Sequence, residues 1–259
     1  MKPAIIVIIL LIILNCIYLY NYISKRKLKH TKPKVYISLT TIPSRMDNIR
    51  PLVDSLLQQT LDIDGVILNI PHYSIRFKSD YSIPDYLQNY HPKLKINRCK
   101  DYGPGTKLLG ALETIHFNKQ DVIIIVDDDR MIDKNLSYNL YEEYKQHSES
   151  IISNFGNNQE LNVKIPMGSA GMLIPLHTLD KQEIMSHFKK YEDYCRYVDD
   201  VFWYKYFVQH RNIPIHYVKS STRINQAYND TNALFREKGD LARYSNDNSI
   251  GLNKKCFLS

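Results

Sequence analysis

The sequence is poor in cysteine, and its cysteines form no regular pattern. Four are present in 259 residues. One of them, Cys16, falls in an apolar N-terminal segment, which leaves an odd set of three without paired spacing: Cys99, Cys195 and Cys256. Because disulfide-rich scaffolds carry even sets of cysteines at characteristic spacings, the sequence does not indicate a disulfide framework.

The chain also lacks the charge pattern of a nucleic-acid-binding protein. Its formal net charge is +7, but residues 1–30 hold five Lys or Arg and no acidic residue. The remainder, at +7 less five, is nearly neutral and has no run of Lys and Arg interleaved with aromatic residues. We therefore predict no nucleic-acid partner.

The N-terminus carries the longest apolar run. Residues 4–20 are uncharged; tyrosines stand at 18, 20 and 22, at the end of this run, and a basic cluster follows at 25–29. About 20 apolar residues can span a bilayer as one helix, and an aromatic and basic flank suits a membrane interface. We predict a single-pass transmembrane anchor at 1–24 and a basic juxtamembrane linker at 25–34.

The charges beside this segment also predict an orientation. Four basic residues follow the apolar run, whereas Lys2 and the terminal amine precede it. The positive-inside rule therefore favours a cytoplasmic domain. The glycosylation sequons at Asn135 and Asn229 would favour the opposite side, so the orientation stays open.

Beyond residue 34 the apolar pattern alternates between strands and helices, in a chain long enough for one sizeable domain. Short apolar runs predict strands at 35–39, 65–70, 94–97, 121–126 and 213–218. Helices are predicted near 47–59, 108–117, 136–147 and 198–208. The Tyr-, Ser- and Pro-rich residues 72–92 are predicted to be irregular. This alternation favours an α/β fold, with a mainly parallel sheet flanked by helices.

Three consecutive carboxylates, Asp127, Asp128 and Asp129, follow the most apolar of these strands. Such charges repel one another unless a cation lies among them. Hard oxygen ligands suit Mg²⁺ or Mn²⁺, which commonly also bind a substrate diphosphate. Since side chains alternate along an extended backbone, Asp127 and Asp129 are expected to point one way and Asp128 the other. A solvated acidic loop is the simpler alternative.

Two further motifs accompany the acidic triplet. The Gly103–Gly105 turn brings Lys107 to a predicted helix start, which is a suitable place for phosphate. The spacing of a P-loop is missing, which disfavours kinase or ATPase chemistry. Asp199 and Asp200 precede an aromatic helix, where a carboxylate could cap the helix. Alternatively, one of them could act as a general base whose pKa its neighbour raises.

Taken in order, these motifs resemble those of GT-A fold glycosyltransferases of the family 2 type. The matching segments are Ser38–Arg45, Gly103–Lys107, the strand into Asp127–Asp129, Gly168–Gly171 and Asp199–Trp203. The resemblance implies a GT-A (Rossmann-like) domain at 35–259. It also implies a nucleotide-sugar donor, a divalent metal (Mn²⁺ or Mg²⁺), and sugar transfer with inversion to a hydroxyl acceptor on a glycan, lipid or protein.

The resemblance also implies residue roles. Thr40 and Arg45 would contact the nucleotide, and Lys107 would lie near the nucleotide or its diphosphate. Asp127 and Asp128 would contribute to the nucleotide site, and Asp127 and Asp129 would hold the metal, as in the family's DxD motif. Gly168–Gly171 would line the acceptor pocket. The catalytic base would be Asp200, although the family often has Glu-Asp there, which keeps Asp199 as a candidate. Arg236 and Arg243 are candidates for a lid over the diphosphate.

Two other functions fit parts of this pattern. A metal-dependent phosphohydrolase also places carboxylates after an apolar strand, but Met131 stands where a haloacid-dehalogenase-like site would want Thr or Val. A non-catalytic, membrane-anchored module that binds a glycan or partner would keep the fold without turnover.

Overall fold

The computed structural model describes residues 11–20, 32–157, 163–218 and 254–259. The chain divides into two compact units, Met1–Pro33 and Lys34–Ser259. In the first unit, residues 11–20 are helical and exposed. The candidate lid residues Arg236 and Arg243 lie outside the described residues.

The prediction of a single-pass membrane protein is wrong for the part of the chain that the structure describes. Within that part, no helix is both long and apolar enough to cross a bilayer. Residues 1–10 and 21–31 of the predicted anchor and linker lie outside the description, and the orientation inferred from their charges has no support.

The second unit is built around one central sheet and two short ribbons. Its strands, in chain order, are β1 (Val35–Thr40), β2 (Gly65–Pro71), β3 (Tyr73–Ser74), β4 (Ser79–Asp80), β5 (Leu94–Cys99), β6 (Val122–Ile125), β7 (Ile151–Ser153), β8 (Gly156–Asn157), β9 (Ile165–Pro166), β10 (Met172–Pro175) and β11 (Ile215–Tyr217). The ribbons pair β3 with β4 and β8 with β9. The central sheet has seven strands in the order β11-β7-β10-β6-β1-β2-β5.

The central sheet is mainly parallel, as the sequence pattern predicts. β1 pairs in parallel with β2 and β6, β2 with β5, and β11 with β7. β10 alone among the described strands of this sheet runs antiparallel, against β6 and β7. The carboxyl ends of β1 and β6 therefore meet at one edge, where α/β folds bind ligands.

Helices cover both faces of the sheet. They are α1 (Arg50–Leu57), α2 (Thr106–Thr114), α3 (Leu136–Gln146), α4 (Lys181–Cys195) and α5 (Asp199–Tyr204), which continues into a π-helical turn at Lys205–His210. The apolar core on one face contains residues of α1 and α3, and the core on the other face contains residues of α2, α4 and α5. In β6, Ile124 belongs to the first core and Ile123 and Ile125 to the second. A strand buried on both faces explains the continuous apolar run.

Several elements differ from the sequence prediction. The predicted helix at 47–59 begins earlier, as a 3-10 helix at Pro43–Asn48, before α1. The region 72–92, predicted to be irregular, contains the β3–β4 ribbon. The sequence pattern does not reveal α4, because few of its residues are buried: Ile184, Phe188 and Cys195. Its start is fixed instead by Asp180, whose side chain accepts a hydrogen bond from the Glu183 amide at 3.0 Å.

A disulfide joins Cys195, at the end of α4, to Cys256. This pairing corrects the expectation of unpaired cysteines. The two residues are 61 positions apart, so no local spacing motif marks them. Cys16 and Cys99 are unpaired.

Replacing Cys256 with Ser should lower the free energy of unfolding by about 4 kcal/mol, because a closed loop of some 60 residues restricts the unfolded chain by that much. Urea unfolding followed by circular dichroism measures the loss. Cys16→Ser, at an exposed and unpaired cysteine, is the matched control and should have little effect. Unchanged stability of Cys256→Ser under non-reducing conditions would contradict the pairing.

His187, on α4, is enclosed by aromatic rings. Its ring lies 4.8 Å from that of Tyr191, 5.9 Å from Phe202 and 5.4 Å from Tyr206. Its Nε2 is buried and has no hydrogen-bond partner among the described residues. Burial, with a smaller contribution from the charge of His210, lowers the pKa of His187 to about 4.

This lowered pKa makes the fold sensitive to acid. Between about pH 6.5 and 4 the unfolded chain binds a proton at His187 that the folded protein does not, so stability should fall as the pH falls through that range. His187→Phe should flatten the dependence. The measurement is urea unfolding at several pH values, and an unchanged slope in His187→Phe would refute the assignment.

Candidate active site

A buried polar network holds the start of α2 against the sheet. Asn69 Nδ2 on β2 donates to Ser38 Oγ at 2.8 Å and to the Leu39 carbonyl at 2.9 Å. Ser38 Oγ donates to the Lys107 carbonyl at 2.5 Å, and Asn97 Nδ2 on β5 donates to Asn69 Oδ1 at 2.8 Å. Because buried polar groups need partners, the network fixes the backbone from which the Lys107 side chain extends.

Lys107 is a buried ammonium group between carboxylates of two separate elements. It is 1% exposed, and its Nζ contacts Asp127 Oδ1 and lies 2.9 Å from Asp199 Oδ2. Burial alone would lower the pKa of Lys107, but the charges of Asp127, Asp199 and Asp200 outweigh it and raise the pKa above its ordinary value. The ammonium group therefore joins the end of β6 to the start of α5.

Asp128 is held by the segment that follows β1. Arg45 Nη1 contacts Asp128 Oδ1, and Thr41 Oγ1 donates to Asp128 Oδ2 at 2.6 Å. Arg45 is 4% exposed. Burial raises the pKa of Asp128, while Arg45 and Thr41 act in the opposite direction. Both oxygens of this carboxylate are thus engaged by the turn after β1.

Asp129 has the environment of a metal ligand. Its Oδ1 is buried and has no hydrogen-bond partner among the described residues, and Arg130 Nε lies 3.8 Å from it. Burial, together with the charges of Asp127 and Asp128, raises the pKa of Asp129 to about 6. An unsatisfied carboxylate oxygen among like charges fits an oxygen-preferring divalent cation. Asp127, two residues away, offers a second carboxylate.

The two aspartates at the start of α5 have different hydrogen-bond partners. Asp199 Oδ2 accepts a hydrogen bond from Trp203 Nε1 at 3.2 Å, in addition to its contact with Lys107. Asp200 Oδ1 accepts from the Gly168 amide at 2.7 Å. Burial and the charge of Asp199 raise the pKa of Asp200 well above that of an ordinary carboxyl group. No side-chain hydrogen bond caps α5, so the capping alternative is not observed.

Glycine at position 168 permits the close approach at this point. A Cβ there would lie 3.2 Å from Asp200 Oδ1 and 3.5 Å from Lys107 Nζ. The Gly168–Ala170 turn, a 3-10 helix, therefore packs directly against the charged cluster.

A cavity of about 370 Å³ opens beside these residues, within the size range of small-molecule sites. It brings together eight of the predicted positions: Thr40, Arg45, Lys107, Asp127, Asp128, Asp129, Asp199 and Gly103. Asp200 is not among the lining residues and contacts Gly168 instead. The Thr40 hydroxyl donates to the Asn69 carbonyl at 2.9 Å.

Part of the cavity wall was not predicted from the sequence. It consists of Thr41, Ser74, Arg76, Phe77, Tyr81, Asp101 and Tyr197, among others. The Arg76 guanidinium lies 5.7 Å from the ring of Phe77 and 5.6 Å from that of Tyr197. The aromatic content of residues 72–92 was the one available sign in the sequence, because contacts between that region and Tyr197 join segments far apart in the chain.

Comparisons with known proteins give structural similarities at low identity. No family model matches the sequence, and no curated protein matches it. S. aureus TarS in complex with UDP-GlcNAc is 18% identical over 58% of this chain and 48% of that chain, with a TM-score of 0.40. The mannosyltransferase PcManGT from Pyrobaculum calidifontis, in complex with GDP-Man and Mn²⁺, is 17% identical over 66% and 53%, also with a TM-score of 0.40.

A third similar structure is the 4-diphosphocytidyl-2C-methyl-D-erythritol synthase from Anaerococcus prevotii. It is 14% identical over 74% of this chain and 92% of that chain, with a TM-score of 0.45. The chain spans about half or less of the length of the TarS and mannosyltransferase chains.

Lys107→Met should lower the free energy of unfolding by about 3–5 kcal/mol, because it leaves buried carboxylates without their cation. Adding Asp199→Asn should cost less than the sum of the single changes, since the two side chains interact directly. Chemical unfolding of the single and double variants measures this coupling.

The matched control is Lys100→Met, which removes an exposed lysine whose Nζ lies 3.4 Å from Glu113. An exposed ion pair contributes about 1 kcal/mol or less. Equal losses for Lys107→Met and Lys100→Met would contradict the role given to the buried ammonium group.

Proposed function

We propose that the chain is a metal-dependent glycosyltransferase of GT-A type, which transfers a sugar from a nucleotide-diphosphate donor to a hydroxyl acceptor with inversion. The observation that carries this proposal is the unsatisfied, buried Oδ1 of Asp129 beside a cavity at the carboxyl ends of β1 and β6. Asp127 and Asp199 also line the cavity, and Asp200 directly follows Asp199 at the start of α5. The position of this cavity, at an edge of the sheet where α/β folds bind ligands, supports the proposal.

A divalent cation, Mn²⁺ or Mg²⁺, would be held by Asp129 and Asp127. When bound, it supplies positive charge for the donor's diphosphate. Asp128 would keep Arg45 in place at the nucleotide side of the cavity, next to Thr40. Lys107 is buried and not a surface residue. Its role would be to hold Asp127 and Asp199 in their positions.

The aromatic wall of the cavity suits the donor's nucleobase. Arg76, Phe77 and Tyr197 present planar groups beside one another, and such groups stack on bases. Tyr81 closes this side by donating its hydroxyl proton to the Thr41 carbonyl at 3.0 Å. The base would therefore lie against this wall, with the diphosphate directed toward Asp129.

Asp200 is the proposed general base. Its raised pKa makes it a better proton acceptor than an ordinary carboxylate, and the Gly168 amide orients it. Asp199, engaged by Lys107 and Trp203, is a positioning residue. In the reaction, Asp200 takes the proton of the acceptor hydroxyl while the acceptor oxygen bonds to the anomeric carbon. The bond from that carbon to the diphosphate breaks, and the nucleoside diphosphate leaves.

The test begins with donor binding and proceeds to turnover. Sugar nucleotides, with UDP-GlcNAc and GDP-Man first, are screened by thermal shift with and without Mn²⁺, because a bound ligand stabilises the folded state by mass action. Release of nucleoside diphosphate and the glycosylated product are then measured. We expect Asp129→Asn to lose Mn²⁺-dependent donor binding. Asp200→Asn should keep donor binding and lose about 10²- to 10⁴-fold in turnover.

The control is Asp193→Asn, at an exposed aspartate of α4 outside the cavity, which should behave as the unmodified protein. Three results would reject the proposal. They are no stabilisation by any sugar nucleotide, release of inorganic phosphate as in a phosphohydrolase, and donor binding without turnover as in a non-catalytic binding module.

A further inference from the structure

A second group of metal-ligating side chains lies where α3 meets β11. Glu143, His147 and His216 each place a potential ligand atom within 4.8 Å of the other two. His216 Nε2 is 3.0 Å from Glu143 Oε2. The rings of His147 and His216 stack with centroids 3.7 Å apart and planes 21° apart. None of the three lines the cavity of the candidate active site.

Two of the three residues lie in regular secondary structure, and the third directly follows a helix. Glu143 lies in the last turn of α3, and His147 follows at the helix end, where its amide donates to the Glu143 carbonyl at 3.0 Å. His216 is the middle residue of β11 and is in register with Ile152 of β7. The connection from α3 to β7, the strand that pairs with β11, is short, and within it the Ser150 amide donates to the His147 carbonyl at 3.0 Å. Ligands on such elements are largely pre-positioned.

The donor set has a chemical preference. Two imidazoles and one carboxylate form a recurrent zinc-binding combination, with a fourth position left for water. Imidazole nitrogen suits Zn²⁺, whereas Mg²⁺ and Mn²⁺ favour all-oxygen sites such as the acidic triplet. Ligand atoms in a tetrahedral zinc site are about 3.3 Å apart. To direct a nitrogen of each ring at one ion, His147 and His216 would have to rotate out of their present stacked arrangement. His147 is exposed, and Glu143 and His216 are half-buried, so an ion could enter from solvent.

We propose that Glu143, His147 and His216 bind a divalent transition-metal ion, with Zn²⁺ as the best chemical fit. The alternative without a metal is a His216–Glu143 ion pair on which the His147 ring stacks, and the experiment below distinguishes the two. The bound ion would fasten β11 to α3. This matters for the sheet because β11 is a short edge strand whose strand partner is β7.

The experiment uses the full-length protein without an affinity tag. Co²⁺ is the spectroscopic probe, because four-coordinate sites with nitrogen ligands absorb visible light far more strongly than octahedral oxygen sites. Zn²⁺ is titrated by calorimetry, alone and as a competitor of Co²⁺. We expect strong Co²⁺ absorption that Zn²⁺ abolishes. His147→Gln and His216→Gln should each weaken Zn²⁺ binding by more than the roughly 10- to 100-fold that loss of an outer-shell partner costs.

Two controls separate this site from other metal-binding groups. His177→Gln changes a histidine whose Nε2 lies 3.3 Å from Glu149 Oε1, so it removes a similar pair from outside the cluster and should not alter binding. Asp129→Asn should likewise leave the strong Co²⁺ bands intact. His147 is exposed at the helix end, so its substitution tests the site even if His216→Gln disturbs β11.

The proposal is overturned if His147→Gln keeps the Zn²⁺ affinity and Co²⁺ spectrum of the unmodified protein. It is also overturned if the bands disappear only in Asp129→Asn, or if the unmodified protein shows none.

Discussion

The ammonium group of Lys107, buried between Asp127 and Asp199, is the interaction on which the rest of the site depends. A buried charge is costly unless paired, and here the pairs come from the end of β6 and the start of α5. Those two segments are about 70 residues apart in the chain. The Ser38–Asn69–Asn97 network fixes the backbone of Lys107 from the other side. Lys107, which is almost fully buried, therefore fixes the positions of the Asp127 and Asp199 carboxylates.

The three carboxylates of the acidic triplet differ in the partners that the fold gives them. Asp127 is compensated by Lys107, and Asp128 by Arg45 and Thr41. Asp129 keeps a buried oxygen without a hydrogen-bond partner in the described chain, and its pKa is raised. Two of the three carboxylates thus accept hydrogen bonds from the fold, whereas Asp129 Oδ1, 3.8 Å from Arg130 Nε, accepts none from the described residues. In the proposed function, Asp129 would therefore hold the metal, and Asp128 would position Arg45.

The sequence predicts the elements of the site better than their contacts. The apolar run before Asp127 predicts β6 because that strand is buried on both faces. The Gly103–Gly105 turn correctly predicts that α2 begins just after it. By contrast, the pairing of Arg76 with Tyr197 and that of Cys195 with Cys256 join distant segments, for which no local periodicity exists. The apolar N-terminal run and its aromatic and basic flank predicted a membrane span, whereas no helix of the described residues is long and apolar enough to be one.

The most direct test of the account is a crystal structure of the protein with Mn²⁺ and a sugar nucleotide. The account predicts anomalous density for one Mn²⁺ ion coordinated by Asp129, with donor diphosphate oxygens as further ligands and the nucleobase against Arg76 and Tyr197. Manganese bound away from Asp129, or a nucleotide outside the cavity between β1 and β6, would contradict it.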